Sequence, residues 1–203
     1  MPDYLEKFFN LRGKSAVVIG GAGFLCSEMA FGLAQAGVDV AILDKNEEKL
    51  KPAVEKIKSF GVKSFGIALD VTKKDELEKA KQDVIKRFNK IDILINGAGV
   101  NAPTPFFDIK VEEWHAILDS HITATFLACQ VFGDEMVDQQ FGSIINMSSA
   151  SAGPPLSKAF TYSVAKAGIR NLTQNLGREW AKNKVRVNCL RPGFFPTEWS
   201  STV

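Results

Sequence analysis

Short apolar runs alternate along the whole chain with longer stretches whose apolar residues recur every three to four positions. Segments 16–19, 38–43, 62–69, 91–95, 143–147 and 185–190 are rich in branched residues and stop at Gly, Asp, Asn or Ser, which predicts six strands. Between them, helical spacing links Leu25, Met29, Leu33 and Ala36, then Leu50, Val54, Ile57 and Phe60, then Leu77, Ala80, Val84 and Phe88. Two later stripes join Trp114, Ile117, His121, Thr125 and Phe132, and Ala165, Ile169, Leu172, Leu176 and Trp180. Strands that alternate with amphipathic helices pack as a parallel sheet covered on both faces, and right-handed crossovers make it doubly wound. The expected fold is a Rossmann-like α/β/α sandwich with strand order 3-2-1-4-5-6, and residues 1–203 form one domain without repeat or linker.

Composition narrows the function classes. With 45% hydrophobic and 24% charged residues the chain has the makeup of an ordinary globular domain. A net charge of +2, with both signs interspersed, argues against a nucleic-acid surface or a polybasic membrane anchor. No apolar run approaches the ~20 residues of a membrane span, and the opening MPDYLEKFFN lacks a signal-peptide pattern, so a cytoplasmic location is expected. Cys26, Cys129 and Cys189 are odd in number, far apart and without metal-ligand spacing; they read as buried free thiols, and no metal is expected.

Candidate chemistry gathers where strands end. The first strand runs into Gly20-Gly21-Ala22-Gly23-Phe24-Leu25-Cys26 and then a helix, a turn whose N–H groups can meet a pyrophosphate at the positive helix end. Asp44 closes the second strand, where a carboxylate either binds both ribose hydroxyls or caps the next helix. Asp70-Val71 closes the third strand and Asn96-Gly97-Ala98-Gly99 the fourth. The fifth ends in Ser148-Ser149, followed by Tyr162 and Lys166, which stand one helical turn apart on one face. An ammonium there favours phenolate over phenol, which suits a proton-transferring tyrosine.

These elements together resemble the short-chain dehydrogenase/reductase family: its Asn-Asn-Ala-Gly segment in Asn96-Gly97-Ala98-Gly99, its Tyr-x-x-x-Lys in Tyr162 and Lys166, and its Asn-x-x-x-Pro-Gly in Asn188 to Gly193. The resemblance implies that Tyr162 exchanges the proton with the substrate oxygen, that Ser149 hydrogen-bonds that oxygen, and that Lys166 grips the nicotinamide ribose and lowers the tyrosine pKa. It implies cofactor contacts at Gly20, Gly21, Gly23, Leu25, Asp44, Asp70, Val71, Asn96, Ala98, Pro192, Gly193 and Thr197, with NAD as cofactor and NADP as the alternative. Departures from the pattern are Ile19, Phe24 and Cys26 within the family's Thr-Gly-x-x-x-Gly-x-Gly, and His121 where an asparagine completes the catalytic group; His121 is expected to keep part of that role. The chain stops at Val203, so the family's seventh strand is expected to be missing.

The expected reaction is hydride transfer between a nicotinamide cofactor and a small carbonyl/secondary-alcohol substrate. The glycine turn and Pro192-Gly193-Phe194-Phe195-Pro196 further resemble the D-mannonate oxidoreductase/fructuronate reductase branch, which implies a sugar acid or polyol. Two other readings stay open: a 3-oxoacyl-thioester reductase, and a non-catalytic nucleotide-binding or scaffold protein. Family members pair through the helices around 114–132 and 162–180, so a homodimer or homotetramer is expected.

Overall fold

The computed structural model describes residues 10–195. Strands β1 (Ser15–Ile19), β2 (Asp39–Asp44), β3 (Ser64–Ala68), β4 (Ile93–Asn96), β5 (Gly142–Met147) and β6 (Val185–Leu190) form one parallel sheet. Its order is β3-β2-β1-β4-β5-β6, as expected for the Rossmann-like fold. All five residues of β1 are buried because the sheet is covered twice: Val17 and Ile19 enter one core cluster, Ala16 and Val18 the other. The edge strand β3 is shorter than expected, since Val62 and Lys63 still belong to the turn that follows Gly61 at φ 83°.

Helices α1 (Phe24–Gln35) and α2 (Glu47–Lys58) cover one face. On the other lie α3 (Lys74–Phe88), α5 (Ala124–Asp138) and α6 (Phe160–Trp180), with α4 (Val111–Leu118) leading into α5. The second and third predicted stripes hold: Leu50, Val54 and Ile57 are buried in α2, and Leu77, Ala80, Val84 and Phe88 in α3, while Phe60 lies beyond its helix and is half-exposed. The first stripe does not. Helix α1 buries Cys26, Ala30, Phe31 and Ala34; Leu25, Met29 and Leu33 flank this face, and Ala36 is its exposed C-cap. Phe31 apart, this face is made of small side chains because a helix that springs directly from a glycine turn runs close against the sheet.

The fourth stripe is not one regular helix. Between α4 and α5 the backbone takes a π-helical turn, Asp119–Thr123, which holds His121 buried. One extra residue in a turn leaves the apolar spacing on either side nearly intact, so periodicity alone does not reveal it. In α6, Ala165 and Ile169 are buried as expected, and Lys166 and Thr173 share that buried face. Among the described residues no helix is long and apolar enough to cross a membrane.

Candidate active site

At the carboxyl edge of the sheet, β1 turns at Gly20, whose φ of +72° and close approach to the Ala98 amide nitrogen (2.8 Å from where a Cβ would stand) both require glycine. The Gly20 and Gly21 N–H groups donate to the Leu43 carbonyl, and the Gly23 N–H to that of Gly20, which closes the turn. Gly23 caps α1 without a side-chain hydrogen bond, and the first helical turn holds no acidic residue. Its N–H groups are thus left for an anion such as a pyrophosphate. Phe24, at a family glycine position, is 56% exposed, so its ring is turned away from the packed sheet.

Asp44 closes β2 as expected but is not the cap of the next helix. One carboxylate oxygen accepts from the Ala22 N–H at 3.1 Å and the other from the Asn46 N–H at 3.0 Å, so it ties the glycine turn to the start of α2, where Asn46 is the true cap. On the next strand edge, Asp70 accepts from the Thr72 hydroxyl and N–H, and the Lys45 ammonium lies 3.5 Å from its other oxygen. The Thr72 hydroxyl, more than Lys45, holds the Asp70 carboxyl below its usual range. Val71 is half-buried against the core. Asn96 departs from the expected cofactor contact: it is buried beneath the site and donates to Asn146 Oδ1 at 2.8 Å, and Asn146 donates in turn to Thr173. Pairing of β4 with β5 places these two amides side by side under the cleft floor.

Ser149, Tyr162, Lys166, His121, Pro192 and Gly193 converge on one cleft of about 740 Å³, which Leu25 also lines. Lys166 is held at both ends. Its ammonium donates to the Met147 carbonyl at 2.7 Å, and its own carbonyl accepts from the Ser148 hydroxyl at 2.8 Å. Burial brings its pKa down to about 8. With the Ser148 hydroxyl engaged there, Ser149 is the serine that faces the tyrosine. Ser149 Oγ accepts from Ser151 N and Oγ, and its carbonyl accepts from the Arg191 guanidinium at 3.3 Å. Arg191 also reaches the Ala150 carbonyl, and the Ala150 N–H donates to Pro192, so the serine turn and the Pro192-Gly193 segment move as one piece. Sequence reasoning passed over Arg191, whose role shows only once β6 lies beside β5.

The tyrosine differs from expectation in one respect. Its pKa is raised by burial, which outweighs the opposing hydrogen bond from Ser149. The Lys166 ammonium sits 5.4 Å from the ring centroid, directed to the Met147 carbonyl, and does not overturn that. Tyr162 therefore rests as a protonated phenol at neutral pH. His121 packs edge-on against its ring, centroids 5.2 Å apart at 81°. Burial first, then the Lys166 charge, push the His121 pKa to about 3 against the pull of the Val100 and Ala98 carbonyls. The imidazole thus stays neutral, with one ring N–H, throughout the working range.

Cys26 is buried and its thiol pushed up to about 11, which suits the expected free thiol. Yet it also lines the cleft floor near Lys166, and a Cβ at Gly97 would overlap its sulfur. That partnership spans two departures from the family pattern, at 26 and 97, and was missed. Thr197 lies outside the described residues.

Comparison with known proteins places this geometry. A family model described as short chain dehydrogenase matches residues 14–203. An uncharacterized oxidoreductase of Bacillus subtilis (strain 168) is 40% identical over 204 residues, covering 93% of this chain and 73% of the relative. The 5-keto-D-gluconate 5-reductase of Escherichia coli (strain K12) is 30% identical over 202 residues, covering 98% and 78%. A crystal structure of NAD+-bound xylitol dehydrogenase superposes with a TM-score of 0.92 at 28% identity, covering 94% of this chain and 74% of that one. The expected D-mannonate oxidoreductase/fructuronate reductase branch is not supported; the similarity runs to members of the gluconate 5-dehydrogenase type.

Proposed function

The chain belongs to the short-chain dehydrogenase/reductase family and is an oxidoreductase of alcohol and carbonyl groups; on that premise we propose that it reduces the keto group of a sugar acid with NADH. The observation that carries the reading is the convergence of Ser149, Tyr162 and Lys166 on a cleft that opens beside the start of α1, whose Gly23 cap makes no side-chain hydrogen bond. A binding module or scaffold has no use for all three. The free N–H groups of α1 would hold the pyrophosphate, Asp44 the adenosine ribose, and Lys166 the nicotinamide ribose, with the nicotinamide supplying or accepting the hydride.

In the reduction direction Ser149 orients the substrate oxygen and Tyr162 donates its phenolic proton to it while the carbonyl carbon receives the hydride. A phenol kept protonated by burial suits this direction. Besides Tyr162, His121 and the Cys26 thiol, the ionisable side chains on the cleft wall are Lys158 and Lys166, and among the described lining residues there is no carboxylate. A substrate carboxylate is therefore met by attraction, with Lys158 the exposed cation of the two. This favours a sugar acid over a neutral polyol or a ketone.

Cofactor choice follows from Asp44 and Lys45. A carboxylate fixed at the end of β2 repels a 2′-phosphate, and the neighbouring cation is turned toward Asp70 rather than left to meet one. Assay of NADH and NADPH against 5-keto-gluconate, a neutral ketose and a 3-oxoacyl thioester tests the whole reading. NADH with the keto acid should give the highest kcat/KM. Fastest turnover of the thioester makes the chain an acyl reductase, and preference for NADPH removes the role given to Asp44.

We also propose a cytoplasmic homodimer. Phe106, Phe107, Val111, Phe160 and Val164 are exposed, Phe107 at 97%, and the Phe106 and Phe160 rings meet at 5.2 Å, so they belong to one patch across the starts of α4 and α6. An apolar patch of this kind marks an interaction surface. Light scattering at micromolar concentration should give at least twice the mass of one chain; a monomer rejects the assignment.

A further inference from the structure

Two acceptors on one wall of the cleft have no partner. The His121 Nε2 lies 2.8 Å from the Val100 carbonyl, an oxygen that only accepts, so Nε2 carries the ring hydrogen and Nδ1 is a bare acceptor. His121 is only 4% exposed and lines the cleft, and its Nδ1 makes no hydrogen bond. Asn101, two residues beyond Gly99, lines the same cleft, and its Oδ1 is likewise buried and unpaired. Buried polar atoms almost always have a partner, so a pair without one on a single wall calls for an external donor.

Resting on the reading of the chain as a sugar-acid reductase, we infer that His121 Nδ1 and Asn101 Oδ1 are specificity contacts that accept hydrogen bonds from substrate hydroxyls beside the reacting carbonyl. The position is right for this. His121 touches the ring of Tyr162, whose hydroxyl meets the reacting oxygen, so a group at Nδ1 is a near neighbour of that oxygen. Its chemistry is right as well. A bare acceptor atom such as His121 Nδ1, or Asn101 Oδ1 in the orientation its amide takes here, repels a carbonyl or carboxylate oxygen, gains nothing from a methylene, and takes only an O–H or N–H. The ring cannot change role by titration, since it stays neutral well below neutral pH. Gly99 lets the imidazole lie there: a side chain at 99 would stand on the ring. The π-helical turn supplies the other half, because it holds His121 buried and facing the cleft between α4 and α5.

Sites built to bind a hydroxyl discriminate sharply against analogues that lack it, because the acceptor is then left buried and unmet. The test pairs 5-keto-gluconate with 5-oxohexanoate, which has the same chain, keto position and carboxylate but no hydroxyls. Wild type should prefer the hydroxylated acid. His121→Phe keeps the ring edge against Tyr162 and removes the acceptor; Asn101→Ala removes the other from a partly exposed position where folding is not at risk. Each variant should lower the ratio of the two kcat/KM values by about tenfold or more, while NADH binding, read by fluorescence, stays within about twofold. Equal losses on both acids, or an unchanged ratio in both variants, overturn the inference alone. A wild-type enzyme idle on both acids while active on another carbonyl overturns the sugar-acid reading and this inference with it.

Discussion

Tyr162→Phe should lower kcat by roughly 10²–10⁴-fold, the usual contribution of a positioned acid or base, and leave NADH binding nearly unchanged. The variant retains the ring, its edge contact with His121 and its place above the Lys166 ammonium; only the hydroxyl that faces Ser149 is lost. The loss should therefore appear in kcat and kcat/KM together, as for a group that acts in the transition state. Wild type adds a second signature. Because burial raises the phenol pKa, reduction needs the form already present at neutral pH, whereas alcohol oxidation needs the phenolate. The oxidation rate should rise with pH through the alkaline range, and the reduction rate should not. In Tyr162→Phe the residual oxidation should lose that rise. Near-normal turnover in a folded variant would remove Tyr162 from the chemistry.

The candidate catalytic group was legible in the sequence because its members are tied by local geometry. A serine just past the end of a strand, and a tyrosine and lysine one helical turn apart, are placed by secondary structure before any packing is known. The sheet was legible for a similar reason: short branched apolar runs that stop at Gly, Asp or Asn and alternate with amphipathic stretches read as strands buried on both faces, and right-handed crossovers favour a doubly wound arrangement. Roles set by packing were not legible. Helix α1 buries Cys26, Ala30, Phe31 and Ala34, so the stripe drawn through Leu25, Met29, Leu33 and Ala36 missed the buried face. Lys166 lowers the tyrosine pKa only if its charge stands close to the phenol oxygen. The structure spends its donor on the Met147 carbonyl, and desolvation of Tyr162 prevails.

The relation least visible in the sequence joins residues 71 positions apart, and it supports the second large effect. The family pattern has glycine at 26 and asparagine at 97; this chain has Cys26 and Gly97. With α1 and β4 packed at the cleft floor, the Cys26 sulfur occupies the space that a side chain at 97 would need, and the Met147 side chain lies 3.1 Å from the same point. The two departures compensate each other: one side chain is gained where another is given up. Gly97→Asn alone should therefore overpack the floor and cost about 1–3 kcal/mol. For a domain of this size that is a fall in Tm of roughly 2–4 °C per kcal/mol. It should also weaken NADH binding, because Cys26, Gly97 and Lys166 share one wall. Cys26→Gly alone should cost about 0.5–1 kcal/mol as a glycine within a helix, with a further loss for the vacated space. The double variant Cys26→Gly/Gly97→Asn should be more stable than Gly97→Asn, with a coupling of about 1 kcal/mol or more in a double-mutant cycle followed by thermal unfolding. Strictly additive effects would mean that the thiol rotates aside at no cost and that the floor is not closely packed. A coupled result would show that the floor beneath the glycine turn is packed around the Cys26 sulfur in the space a side chain at 97 would fill.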